Sequence, residues 1–391
     1  MRENFDVVVL GAGAAGLFCA FTAGRRGRQV LVLEHGRAAG AKILISGGGR
    51  CNFTNVNTAP DRFFSTNPHF CKSALSRYTP ADFLALVEKH RIAWHEKTLG
   101  QLFCDGSARQ IVAMLLDECA AAGVEIRLGQ HISDVRKSEA FTVTTDSDEI
   151  EAPSVVLATG GLSIPKMGAT GLSHDLARRF GLKLTEIRPG LVPLTLPGDW
   201  LARTQGLSGV SLPVAASIGR RNFREVMLFT HRGLSGPAIL QISSVWREGE
   251  TLAIDLLPDL DAGFLLARKR ARPKAGLRTL LHEALPQRAA DLFAPADLAG
   301  KPVGDIPDKA LLALGAALKA WRVAPAGTEG YAKAEVTLGG IDTAALSSRT
   351  MEATAVPGLF VIGEALDVTG WLGGYNFQWA WASGHSAGLA A

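Results

Sequence analysis

Gly11-Ala12-Gly13-Ala14-Ala15-Gly16, with Glu34 further on, is the first grouping of residues whose types and spacing could do chemistry. The pattern G-x-G-x-x-G, set between an apolar run and a helix-like one, is what a dinucleotide needs. Gly11 permits a tight turn, Gly13 lets a pyrophosphate approach the backbone, and Gly16 lets helix and strand pack closely. Ala14 and Ala15 keep the helix start small, where free N–H groups favour an anion. Glu34, at the end of the next apolar run, can accept hydrogen bonds from ribose hydroxyls. The motif suits NAD and FAD equally. No second G-x-G-x-x-G occurs, which argues against a separate domain for a nicotinamide cofactor.

A second grouping is Ser46-Gly47-Gly48-Gly49-Arg50-Cys51-Asn52, preceded by Lys42. Three consecutive glycines pack poorly and cost conformational entropy, so they point to backbone wrapped against a ligand. Lys42 and Arg50 bring positive charge to where a phosphate or a reduced flavin would be negative, and Asn52 brings both donor and acceptor groups. Cys51 has no cysteine within a few residues. A paired redox dithiol is therefore not expected, and Cys51 is read as a small residue packed beside the cofactor ring. Thr159-Gly160 ends another apolar run without a bulky side chain, which suits a cofactor lying on the backbone and suits an ordinary strand-to-loop turn as well. Near the end of the chain an apolar run closes in Gly363-Glu364, whose carboxylate could bind sugar-like hydroxyls. Gly374-Tyr375-Asn376-Phe377 then opens a helix whose N-terminus suits the N1/C2=O edge of a reduced flavin.

The middle of the chain holds one dense polar cluster, Phe229-Thr230-His231-Arg232-Gly233-Leu234-Ser235. His231 is a candidate proton donor or acceptor near neutral pH, and Arg232 could hold a carboxylate or carbonyl. A turn capped by Thr230 and Ser235 accounts for the same residues without chemistry. The basic run Arg268-Lys269-Arg270-Ala271-Arg272-Pro273-Lys274 reads as a solvated helix face, because no aromatic residues interleave it.

These residues need elements to position them. Phe5–Leu10, Ala14–Gly24 and Gln29–Glu34 read as strand, helix and strand, a βαβ unit with parallel pairing. A helix follows from Ser107 to Ala122, then strands at 124–128, 132–135, 141–145 and 155–159. Prolines at 189, 193 and 197 break this pattern. Beyond them strand-like pieces surround an Ala/Leu/Arg-rich helical stretch, and a buried strand at 359–362 and a final helix at 376–389 complete the chain. This gives a dinucleotide-binding domain over 1–188, an inserted domain over 189–345 with a helical subdomain about 261–321, and a return to the first domain over 346–391. The 391 residues include 47% hydrophobic and 20% charged ones, which excludes a disordered chain, and a net charge of +4 is too weak to announce a nucleic-acid binder. Five cysteines without metal-ligand spacing fit a reducing, cytoplasmic compartment and no metal. The uncharged run 7–24 is neither a signal peptide nor a membrane span, because its glycines form the motif above and its arginines follow rather than precede it.

With these motifs in place, the chain resembles the YhiN/BaiN-like flavoproteins, also called aminoacetone-oxidase-like FAD-binding enzymes. GAGAAG, SGGGRCN, ATGGLSIPKMGATG, FTHRGLSGP, VTLGGI and GEALDVTGWLGGYNFQWAWASG carry the resemblance, in that order and across nearly the whole length. It implies an α/β fold: a split Rossmann-like FAD-binding domain with an inserted β-barrel-like domain carrying the helical subdomain. It also places FAD on Gly11, Gly13, Gly16, Glu34, Arg50, Asn52, Thr159, Gly160, Glu364 and Asn376. The expected activity is an FAD-dependent oxidoreductase, with NAD(P)H as transient electron donor and a small conjugated carbonyl compound as substrate. An amine oxidase using oxygen and a flavin-bearing RNA-modifying protein are the alternatives.

Overall fold

A computed structural model describes residues 2–391. The chain divides into two compact units, the first running to Arg188 and resuming over Val336–Ala391, the second Pro189–Glu335.

The first unit is built on a five-stranded parallel sheet. Its strands lie in the order Leu359–Val361, Ser154–Leu157, Val7–Leu10, Val30–Glu34 and Glu125–Leu128. The central strands are continuous runs of Val and Leu because both of their faces are covered. On one face the helix Ala14–Gly24 is buried from Ala15 onward. The last helix, Tyr375–Gly388, crosses it at a distance only small residues allow: a Cβ at Gly384 would stand 2.6 Å from the Ala15 carbonyl oxygen, and one at Gly388 2.6 Å from that of Cys19. Trp381 stacks against Phe83 at 4.4 Å and Phe377 at 5.6 Å, and its indole donates to the Phe53 carbonyl. The tryptophans of this helix are core residues.

Two smaller sheets flank the first. One joins Arg2–Asn4, Glu149–Ala152, Phe141–Thr145 and Ile132–Lys137; the other joins Asn52–Asn55, Gln101–Cys104 and Trp94–Glu96. The second extends the Gly47–Asn52 loop into a paired strand and so fixes its exit.

The second unit is a seven-stranded antiparallel sheet in the order Trp321–Val323, Leu252–Asp255, Ser211–Ile218, Arg221–Phe229, Gly233–Ser235, Leu194–Thr195, Gly327–Thr328. Its outermost strands are consecutive in the chain, separated by residues 324–326 alone. That link reaches at most about 14 Å, whereas a flat sheet of this strand number would be about 29 Å wide. The sheet must therefore curl toward closure, the barrel-like form expected. Helices Phe264–Ala271, Leu277–His282, Gln287–Phe293 and Asp308–Lys319 make up the helical part. Most of the basic run lies inside it: Arg268 and Arg272 pair with Glu283, and Lys269 with Asp308. Among the described residues no helix is long and apolar enough to cross a membrane, and no cluster of His, Cys, Asp and Glu could hold a metal.

Candidate functional site

The turn from Val7–Leu10 into the first helix shows why its three glycines differ. A Cβ at Gly11 would stand 2.7 Å from the Ala158 carbonyl oxygen on the neighbouring strand, and one at Gly16 would stand 2.0 Å from the Gly11 carbonyl oxygen. Both are excluded by the protein itself. A Cβ at Gly13 would meet nothing within 4 Å, so the bare backbone there faces open space. Gly13 caps the helix without any side-chain hydrogen bond, and the first turn carries no acidic residue. Its free N–H groups and positive dipole end are left for an anion. Glu34 turns its carboxylate toward this turn, accepting from the Ala12 N–H at 2.8 Å and the Gly36 N–H at 2.7 Å. Oε1 also faces His35 Nδ1 at 3.0 Å, whereas Oε2, with its one hydrogen bond, keeps a lone pair that could accept from a ribose hydroxyl.

Lys42 and Glu364 meet across the unit. Lys42 Nζ donates to Glu364 Oε2 at 2.9 Å and to Ser163 Oγ at 2.7 Å, while Glu364 Oε1 accepts from Ser163 Oγ and the Thr337 N–H, both at 2.9 Å. Burial pushes the Glu364 carboxyl up, but the Lys42 charge and these hydrogen bonds outweigh it and hold the group below its ordinary value. It remains a carboxylate beside the glycine turn, where Gly363 brings its backbone within reach of Ala15.

In the Gly47–Gly49 run all three residues have positive φ, of 56°, 66° and 84°, and Cys51 follows at 49°. This left-handed path is what the glycines supply. Arg50 is exposed, and its carbonyl accepts from the Cys104 N–H. Asn52 Nδ2 donates to Gln101 Oε1 at 2.8 Å, while its buried Oδ1 has no partner among the described residues. Gly374 packs over it, a Cβ there lying 2.8 Å from that same oxygen. Asn376 folds back to bond the Gly370 N–H and carbonyl, shaping the entry to the last helix, and Tyr375 packs edge-on to Phe63. Thr159 exchanges hydrogen bonds with Ser173, and Gly160, with φ of 75°, has open space where a Cβ would be.

Residues 5–390 match the HI0933-like protein Rossmann domain. The chain belongs to this family. A ribosomal RNA dihydrouridine synthase of Escherichia coli is 52% identical over 97% of this chain and 96% of its own length. A 3-dehydro-bile acid delta(4,6)-reductase of Clostridium scindens is 28% identical over 98% of both. A quinol-fumarate reductase structure is 16% identical with a TM-score of 0.51, covering this whole chain and 71% of the other, a likeness of fold. As a member of the HI0933-like family the chain is an FAD-dependent oxidoreductase. The residues present fit that cofactor: an uncapped helix N-terminus behind a bare Gly13, a Glu34 carboxylate turned toward that turn, a backbone opening at Gly160 and an orphaned Asn52 oxygen.

The first unit thus brings together Gly11, Gly13, Ala14, Ala15, Gly16, Glu34, Lys42, Thr159, Gly160, Gly363 and Glu364 at one end of its sheet. Asn52, Gly374, Tyr375 and Asn376 gather around the entry to the last helix. Phe377 is tied to the core through Trp381, and Cys51 is fully buried. His231 and Arg232 belong to the other unit. They form the exposed tip of the hairpin between Arg221–Phe229 and Gly233–Ser235, where Thr230 Oγ1 accepts from the N–H groups of Arg232 and Gly233, and Arg232 pairs with Glu329 at 3.5 Å. Thr337 and Gln101 are partners of site residues that spacing alone does not single out. Thr337 lies in the VTLGGI motif, whereas nothing in the sequence marks Gln101.

Proposed function

We propose that this chain saturates the C5–C6 double bond of a uridine in ribosomal RNA, using FAD reduced by a nicotinamide dinucleotide. The observation that carries this reading is the 52% identity, from end to end, with a protein called a ribosomal RNA dihydrouridine synthase. The chemistry agrees with the conjugated-carbonyl reduction that the family resemblance implies, because the uracil C5–C6 bond is conjugated with the C4 carbonyl. When bound and reduced, FAD would supply the hydride equivalent for C6, and a proton would have to reach C5. The chain has to anchor the dinucleotide through Gly13 and Glu34, hold the base against the ring, and supply that proton. His231, exposed at its hairpin tip, is the candidate donor.

The second reading, a free enone as substrate, is favoured by the 28% relative named for a bile-acid reductase. One experiment separates them. The FAD-loaded protein, reduced with NADPH or NADH, is incubated with ribosomal RNA lacking dihydrouridine, and the digested nucleosides are weighed by mass spectrometry. Appearance of dihydrouridine supports the RNA reading. Reoxidation by a steroid enone with no change in the RNA would replace it with the second.

A further inference from the structure

One pocket of the first unit borders the cofactor candidates, sharing Tyr375 with them. It encloses about 460 Å³ between the segment Asn55–Arg62, the turn at Leu99 and the stretch Trp371–Tyr375. Two of its lining residues stack: the Arg62 guanidinium lies 4.5 Å over the Trp371 ring, and the Trp371 backbone N–H donates to the Arg62 carbonyl at 2.9 Å. Arg62 Nε has no hydrogen-bond partner among the described residues.

The rim is built at a cost. Leu99 has φ of 62°, a strained conformation for a branched side chain worth about 1–3 kcal/mol. Asn55 and Asn57 hold it there, each donating Nδ2 to the Leu99 carbonyl, at 3.1 and 3.3 Å. What the strain achieves is exposure. Leu99 stands 58% exposed and its neighbour Val56 47%, two apolar side chains that line this pocket beside its amides. Gln101 and Tyr375 connect the pocket to the flavin candidates, Gln101 through its bond to Asn52 and Tyr375 as the first residue of the last helix.

Unstacked RNA bases are bound by aromatic and guanidinium planes, with amides on the base edge. The geometry points to this pocket as the seat of a uridine nucleotide of the RNA, an inference that rests on the RNA reading above. Gln101 Nε2 and the Arg62 guanidinium, the latter also facing Asp61 Oδ1 at 3.7 Å, are donors. Uracil presents two carbonyl acceptors, whereas cytosine would set an amino group against them.

The test uses the full chain with FAD bound and follows binding of a labelled short oligouridylate, with oligocytidylate and free UMP as competitors. Trp371→Ala should weaken oligouridylate binding about 5- to 150-fold, the range for losing one stacking platform, with flavin absorbance retained. Trp371→Phe should restore most of it. Leu99→Asn, which relieves the strain, should hold or raise the melting temperature while weakening binding, an opposition that a purely structural role would not produce. Oligocytidylate should compete less well than oligouridylate, and UMP should compete at the same site only weakly.

Unchanged binding in Trp371→Ala and Leu99→Asn, with flavin retained, would overturn the inference. Loss of flavin in both Trp371 variants would assign the pocket to the cofactor and overturn it too. Equal competition by oligocytidylate would remove the uridine assignment. Should the parent make dihydrouridine in ribosomal RNA while pocket variants keep its KM for that RNA, the pocket fails and the RNA reading stands. A parent that makes none ends both.

Discussion

The turn at Gly11–Gly16 and the hairpin tip at Thr230–Gly233 are both short, glycine-containing exits from a strand, and they are built in opposite ways. In the first, the working surface is main chain. Side chains are absent where the ligand must come, and the one nearby carboxylate, Glu34, is braced by two backbone N–H groups. In the second, the main chain is closed on itself: the Thr230 N–H donates to the Gly233 carbonyl at 2.8 Å, Thr230 Oγ1 accepts from the N–H groups of Arg232 and Gly233, and the side chains of His231 and Arg232 stand outside. Binding a large constant ligand, the role proposed for the turn, and contributing one proton, the role proposed for the tip, are different tasks. The first needs a preformed backbone, and the second needs only a placed side chain.

The sharpest way to break this contrast is to change two glycines of one motif. Gly13→Val puts atoms into open space, so the fold should survive with an unchanged melting temperature for the flavin-free protein while the purified protein loses its yellow colour. Gly16→Val drives a side chain into the Gly11 carbonyl, so it should cost several kcal/mol and yield little folded protein. Flavin content by absorbance and thermal unfolding measured together check both. If Gly13→Val keeps FAD, the pyrophosphate does not lie there.

At the hairpin the expected failure is kinetic. His231→Ala should lower the rate at which substrate reoxidises the reduced flavin by roughly 10²–10⁴-fold, the usual range for a general acid. The flavin spectrum and melting temperature should stay as in the parent, since the side chain is exposed. A changed melting temperature with unchanged reoxidation would make the tip a capped turn and nothing more.

The two regions also differ in how they can be read from sequence. The glycine turn is legible because its demands are local: strand, glycines, helix and acidic residue all fall within Val7–Glu34, and the observed elements end within about two residues of their expected places. What escapes is whatever depends on distant partners. Lys42 reads as a charge for phosphate, yet its ammonium is engaged by Glu364, 322 residues away. The strand Arg221–Phe229 hides because Arg221, Asn222, Arg224 and Val226 lie on exposed positions and dilute its alternation. The helix Pro80–Lys89 carries a local signal that the apolar periodicity passes over, a capping box in which Thr79 and Asp82 bond reciprocally. Gln101 acquires its meaning only when the sheet pairs its strand with Asn52–Asn55.

A smaller effect tests whether the first unit depends on charge away from its cradle. Glu118, 4% exposed, is met by Arg25, Lys89 and His90. Burial raises its carboxyl, but the hydrogen bonds from His90 and Lys89 and the Arg25 charge overcome this and lower it from 4.5 to about 2. A carboxyl depressed in the folded state stabilises above its unfolded pKa and loses that contribution as pH falls, here through the window from 4.5 down to about 2. Glu118→Gln should therefore cost about 1–3 kcal/mol at neutral pH and flatten the acid limb of the stability curve. Chemical denaturation at a series of pH values, with flavin content followed alongside, should show this loss without any change in FAD affinity at pH 7.

The smallest effect belongs to Cys51, which lies inside the cradle and whose thiol the main-chain account leaves without a task. The strand pairing of Asn52 with Phe103 places Cys104 beside it, a neighbour invisible in sequence where the two are far apart. Both thiols are fully buried, and burial pushes them up, Cys51 to about 12 and Cys104 to about 11. Thiols so far from ionisation are poor nucleophiles, so proximity alone does not make a redox pair. Cys51→Ser should retain FAD and most turnover, losing about 1–3 kcal/mol of stability for a hydroxyl set in an apolar site. Non-reducing peptide mapping of the oxidised protein provides the decisive check. A Cys51–Cys104 disulfide that disappears when the flavin is reduced, together with loss of turnover in the serine variant, would give this side chain a share of the electron path and end the claim that the cradle works through its backbone alone.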